Sequence, residues 1–200
     1  CGPDDVITPI SPKDENLRRS LGYPGAQNFL YRADERRNSM TGTREINEAD
    51  YKYYNHISGD EIRALIDPGI WETYFKFCVE RNPWDRVISL YYFRFPREPR
   101  PDFLEFLASG SINVLKRKGL GLYTSNGQVL VNKICKFENL KNDLESVRVI
   151  VGIPCSLDLP AAKSGMRPKK RHYREYYDDR SREIVADLFS EEILMHGYCF

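Results

Sequence analysis

Three groups of residues have types and spacing that could do chemistry. The first is Arg81 followed, after seven intervening residues, by Ser89 within ERNPWDRVISLYYF. A guanidinium presents a planar fork of donors that matches a phosphate bidentately, and each such charge-assisted bond contributes roughly 1.5–3 kcal/mol. Arg81 could instead form an ion pair with Glu80 or Asp85, although its place at a strand's end before an N-cap favours the phosphate, and a helical serine such as Ser89 often bonds back to its own helix. The second group is KSGMRPKKRHYR, residues 163–174, which holds Lys163, Arg167, Lys169, Lys170, Arg171 and Arg174 with no acid. It is the strongest local field in the chain, although basic loops are commonly just solvated. The third is His56, in Tyr54-Asn55-His56-Ile57-Ser58. Histidine suits proton transfer because imidazole titrates near neutrality, but a single histidine also reads as a ring bonded to nearby backbone.

The elements that must position these residues are legible around Arg81. Tyr74 to Glu80 is rich in aromatic and β-branched residues, the composition of a buried strand. Asn82 suits an N-cap and Pro83 the first helical position. From Trp84 the apolar residues Trp84, Val87, Ile88 and Tyr91 follow the spacing of one helix face. The expectation is a strand, an arginine at its carboxyl end, and a helix whose free N–H groups point back. Open α/β sheets bind anions at such places. Lys133 to Phe137 reads as a second buried strand, followed by a helix with Leu140, Leu144 and Val147 inward. Two strand–helix units imply an α/β layered domain.

Elsewhere, residues 1–50 are rich in Pro, Gly and charge, and are expected to be mostly irregular with a short helix near Lys13–Leu21. Ser58 and Glu61 form a capping box, and Asp67-Pro68-Gly69 reads as a turn. Asp102 caps a helix over Phe103–Ala108, and Ser125-Asn126-Gly127 signals a hairpin. Arg180 to Phe189 reads as a helix with Ile184, Val185, Leu188 and Phe189 inward, and Ser190 as the cap of a last helix ending near Gly197.

The Arg81–Ser89 segment resembles the 3′-phosphate-binding motif of the PAPS-dependent sulfotransferases, and is most similar to carbohydrate sulfotransferases, including the uronyl 2-O type. The likeness continues at Phe137-Glu138-Asn139-Leu140 and from His172 to the end, so it spans roughly residues 57–200. It implies a P-loop-kinase-like parallel sheet flanked by helices. It also implies transfer of a sulfuryl group from PAPS to a carbohydrate or other alcohol, leaving adenosine 3′,5′-bisphosphate, with no metal. In that likeness Arg81 and Ser89 hold the 3′-phosphate, and Arg167, Lys170 and Arg171 contribute from the basic loop. His56-Ile57-Ser58 resembles the His-x-Ser that supplies the base in uronyl 2-O-sulfotransferases, with Glu61 and Glu80 as runner-up bases. His172 would join the nucleotide loop, Tyr173, Tyr176 and Tyr177 offer rings for adenine, and His196 reads as a helix C-terminal residue. Trp71 and the Tyr91-Tyr92-Phe93 cluster could face a sugar, although Trp84 and Tyr91 suit the core; Tyr92, Arg94 and Arg97 are left to meet an anionic acceptor.

One family feature has no match. A Pro-Lys-x-Gly-Thr phosphosulfate loop does not occur in residues 1–200, Met40-Thr41-Gly42-Thr43 being the nearest imitation. The first strand and that loop are therefore expected upstream of Cys1. The alternative is a non-catalytic domain that binds adenosine 3′,5′-bisphosphate or a glycan. A nucleotide kinase fits less well, because no Walker lysine is present.

Length suits one domain. With 41% hydrophobic and 30% charged residues the chain suits a globular class, and a net charge of +1 argues against bulk nucleic-acid binding. No stretch approaches the roughly 20 apolar residues of a membrane span. The five cysteines are scattered without a C-x-x-C pair, which indicates neither a metal site nor a disulfide framework and suits a reducing cytoplasm. A Golgi lumen would require an upstream anchor.

Overall fold

A computed structural model describes residues 2–31, 50–159, 167 and 171–200. It divides into two compact units, Cys1–Glu72 and Thr73–Phe200.

Among its described residues, the first unit is irregular apart from short helices and isolated bridges. Ser11 caps α1, Pro12–Ser20, by accepting from the Asp14 N–H at 3.3 Å. Isolated bridges join Ile7 to Gln27 and Leu30 to Tyr51. The capping box forms as its sequence requires: Ser58 and Glu61 satisfy one another's backbone N–H groups at the start of α2, Gly59–Leu65. Asp67-Pro68-Gly69 does not stop at a turn. Pro68 takes the first position of α3, Pro68–Thr73, which buries Trp71. A proline after an aspartate opens a helix as readily as it bends a loop.

The second unit carries the repeated strand–helix pattern. β1, Phe77–Glu80, runs parallel to β4, Lys133–Lys136, with Phe77 opposite Lys133 and Glu80 opposite Lys136. β1 starts three residues later than the composition suggests. The chain at Lys76 bonds Asn132 instead: its N–H donates to the Asn132 side chain at 2.8 Å, and its carbonyl accepts from Asn132 N–H at 2.8 Å. α4, Pro83–Arg94, follows β1, and α7, Leu140–Ile150, follows β4. Between them come α5, Phe103–Ala108, α6, Asn113–Arg117, and a hairpin of β2, Thr124–Ser125, with β3, Gln128–Val129. Its two turn residues, Asn126 and Gly127, both take positive φ, as a tight hairpin turn demands. α8, Asp179–Leu188, and α9, Ser190–His196, close the chain. Phe189 rather than Ser190 stands at the N-cap of α9, with no side-chain bond.

The core of this unit forms where α4 lays Trp84, Val87 and Tyr91 against Phe106 and Leu107 of α5, Ile112, and Val185 and Phe189 from the C-terminal arm. Burying each such side chain contributes about 1.5–3 kcal/mol. The packing fixes α4, and with it the turn that carries Arg81. No described helix is long and apolar enough to cross a membrane.

Candidate functional site

The turn from β1 into α4 is held by local bonds before any long-range contact is made. The Asn82 side chain accepts from Trp84 and Asp85 N–H at 3.0 and 3.4 Å, capping α4, while Pro83 occupies a position needing no donor. Asn82 N–H donates to Glu138 at 2.7 Å, tying the turn to the segment after β4. Arg81 N–H donates to Glu80 at 3.0 Å.

The Arg81 guanidinium projects from this turn along one line of α4. Its Nε and Nη2 donate to Oδ2 of Asp85, four residues on, at 2.8 and 2.6 Å. Its plane lies over the Phe137 ring, 4.2 Å from the centroid. Asp85 is shared: its Oδ1 accepts from Nη1 of Arg167 at 3.0 Å. Arg167 in turn rests over Tyr176 at 4.9 Å. Among the described residues, its Nε and Nη2 are buried and have no hydrogen-bond partner. Ser89, four residues beyond Asp85, continues the same helix line and is half-buried. Two guanidiniums and one carboxylate thus meet with a net positive charge beside the first turn of α4, where the helix dipole adds to the field.

The sequence-expected residues divide accordingly. Arg81 and Arg167, from segments far apart in the chain, are brought together by Asp85, the ion pair that was one alternative for Arg81. Arg171 is exposed, and Lys170, like Lys163, Lys169 and residues 40–43, lies outside the described residues. His172 caps a short 3-10 turn, Tyr173–Tyr176, its ring accepting from Arg174 N–H. Tyr177 belongs to the core rim: its hydroxyl donates to the Trp84 carbonyl at 2.8 Å, and burial pushes its pKa well above the usual phenol range. Tyr176 stacks edge-on with Tyr92.

His56 belongs to the first unit. It is exposed, with φ of 66°, in a turn closed by Ile57 N–H donating to the Tyr54 carbonyl at 3.2 Å. Histidine is among the non-glycine side chains that adopt this left-handed region most readily. Ser58 is spent on its cap, donating to Glu61 at 2.6 Å. Glu61 also accepts from the Tyr54 hydroxyl, and these bonds hold its carboxyl below the usual range. Just before His56, a cavity of about 550 Å³ is lined by Pro9, Ile10, Tyr51, Tyr54 and Asn55.

A second constellation carries no sequence signal, because its members are distant in the chain. Glu80, 3% exposed, binds Nη1 of Arg86 at 2.6 Å and accepts from the Tyr123 hydroxyl at 2.8 Å. The other arm of Arg86 pairs with Glu192 of α9. Tyr123 also meets Nε2 of His196 at 2.8 Å. Burial raises the Glu192 carboxyl despite Arg86, and burial, with Lys136 nearby, lowers the His196 imidazole. Both Glu80 oxygens are thus engaged within the protein. Among the described residues no three His, Cys, Asp or Glu side chains cluster as a metal would need.

A family model described as "Sulfotransferase family" matches residues 25–199. An uncharacterised protein of Archaeoglobus fulgidus is 36% identical over 103 residues, covering 49% of this chain and 84% of that protein. No solved structure gives a significant match.

Proposed function

The chain belongs to the sulfotransferase family, and from that premise we propose that it moves a sulfuryl group from PAPS to a carbohydrate hydroxyl, in the manner of the uronyl 2-O type. The observation that carries this reading is the pair of aromatic-backed arginines joined at Asp85, one of which keeps a two-atom donor edge without a partner. A buried guanidinium edge left unbonded costs free energy, and an incoming phosphate is the complementary acceptor. In this reading Arg81, Ser89 and Arg167 bind the donor's 3′-phosphate, with Lys170 and Arg171 adding charge from the basic loop. His56 accepts the proton of the acceptor hydroxyl. PAPS supplies the activated sulfuryl group; the protein's work is to position it and to stabilise charge on the leaving phosphate.

The sheet is read as part of a larger P-loop-kinase-like sheet. Phe77 and Val79 of β1 are 45% and 46% exposed, and parallel strands are ordinarily covered on both faces. Phe77 and Val79 share one face of the sheet, and a helix laid on that face would cover them.

Calorimetry with adenosine 3′,5′-bisphosphate against adenosine 5′-monophosphate tests the phosphate site. The bisphosphate is expected to bind about 10–100-fold more tightly, the value of one charge-assisted contact, and Arg81→Ala to abolish the difference. Equal binding of the two nucleotides by the folded protein would sink the assignment. His56→Ala should leave bisphosphate affinity intact and stop sulfuryl transfer; a fully active variant would remove His56 from the mechanism.

A further inference from the structure

We propose that Asp85 is a positioning residue that assembles the 3′-phosphate site, fixing Arg81 and Arg167 in one cradle and leaving the bidentate edge of Arg167 without a protein partner, so that a phosphate displacing the side chains around it can take that edge. The proposal rests on the reading of Arg81 as the phosphate clamp and extends it to the residue that sets the clamp's geometry.

The division of donors carries the argument. Asp85 Oδ2 takes the Nε and Nη2 edge of Arg81, while Oδ1 takes only the Nη1 corner of Arg167. What remains on Arg167 is Nε with Nη2, the same side-on edge that Arg81 presents to Asp85. That edge is a geometric match for two oxygens of a phosphate. A tether that merely held the C-terminal arm in place would have no reason to leave two adjacent buried donors unbonded, because such donors are nearly always paired.

The aromatic rings confine the ligand's approach further. Phe137 backs the Arg81 plane at 4.2 Å and Tyr176 backs Arg167 at 4.9 Å, and Tyr176 is itself braced by Tyr92. A ring against each guanidinium narrows the sides from which an anion can approach. Two guanidiniums this close repel one another unless a carboxylate lies between them. Asp85 meets three guanidinium N–H donors, so the cluster retains a net positive charge toward an anion. Its place in the first turn of α4 sets its direction, because that turn is capped by Asn82.

The test is calorimetric binding of adenosine 3′,5′-bisphosphate and adenosine 5′-monophosphate to the wild type, Asp85→Asn, Arg167→Lys and the double variant. Asp85→Asn keeps the shape of the side chain but weakens its hold on both arginines. It is expected to weaken the bisphosphate about tenfold and the monophosphate by no more than about twofold. Arg167→Lys, which keeps charge without the fork, should lose the bisphosphate about as much, and the double variant little more than either, since the two changes break one unit. The assignment is overturned if Asp85→Asn binds the bisphosphate as tightly as the wild type or more so. Weakening of both nucleotides alike overturns it too, since that marks a structural tether. If Asp85→Asn loses its cooperative melting transition, Arg167→Lys decides, because it leaves α4 untouched: undiminished bisphosphate affinity refutes the cradle. A wild type that does not distinguish the nucleotides refutes the phosphate-clamp reading itself, and the role of Asp85 with it.

Discussion

Arg81, Arg86 and Arg167 use the same side chain in three ways, and the differences lie in what surrounds each fork. Arg86 is walled in by Glu80 and Glu192 and rests on Phe189, so both its terminal nitrogens are spent on structure. Its lone unbonded Nε offers a single bond rather than a fork. Arg81 is committed to Asp85 along one edge, and Arg167 at one corner only. The cysteines show a similar contrast. Cys78 and Cys135 lie on the paired strands, where burial and, for Cys78, the nearby Glu80 push the thiols up, Cys78 to about 12. Cys155 and Cys199 are exposed and free. Because the thiolate is the nucleophile, iodoacetamide at pH 8 should label Cys155 and Cys199 rapidly and leave Cys78 and Cys135 unmodified until the protein is denatured. Native labelling of Cys78 at the rate of Cys199, read by peptide mass spectrometry, would contradict the sheltered, half-buried placement of Cys78.

At the scale of elements, the β1–α4 turn depends on one side chain. Asn82 caps the helix, and its Nδ2 also reaches the Tyr173 hydroxyl and the Cys199 carbonyl at 3.3 and 3.4 Å. Asn82→Ala should therefore cost about 1–2 kcal/mol in urea denaturation, at the upper end for a lost cap. It should also weaken the bisphosphate preference, because Arg81 loses the turn that aims it. A variant as stable as the wild type would show that packing alone holds α4. This turn was legible in the sequence because its signals are local: a cap, a proline and a helix-face period within ten or so residues. The helix over Phe103–Ala108 and the Asn126-Gly127 hairpin were legible for the same reason. α6 was not, since five residues without a side-chain cap show no period. Asp67-Pro68 serves turn and helix start alike, and only the burial of Trp71 distinguishes the two.

At the scale of the second unit, the contacts that complete the site join segments far apart in the chain, so no spacing rule could reveal them. The basic run was visible in the sequence, but not which of its cations meets Asp85. The buried network of Glu80, Arg86, Glu192, Tyr123 and His196 was also hidden. It spans β1, α4 and α9, and it should make the stability of the unit depend on pH. With the Tyr123 hydroxyl donating to Glu80, the arrangement that satisfies both contacts has His196 Nε2–H donating to the Tyr123 oxygen. Burial lowers the His196 pKa from the ordinary 6.5, with Lys136 and Arg86 opposing a further charge and Glu80 favouring it. Where the folded ring refuses a proton that the unfolded ring accepts, the unfolded state binds more protons, and stability rises with pH. The loss therefore begins as pH falls through 6.5 and continues until the lower, folded pKa is reached. Glu192 acts in the opposite sense nearer its own range, since its raised pKa favours protonation in the folded state as pH falls. It can only soften the decline. His196→Gln, whose amide can still donate to Tyr123, has no proton to refuse. The melting temperature of the wild type should fall between pH 7.5 and 5.5 more steeply than that of His196→Gln. Parallel curves for the two proteins would mean that the ring is already protonated or solvated in the fold, and that the network is held by the Arg86 ion pairs alone.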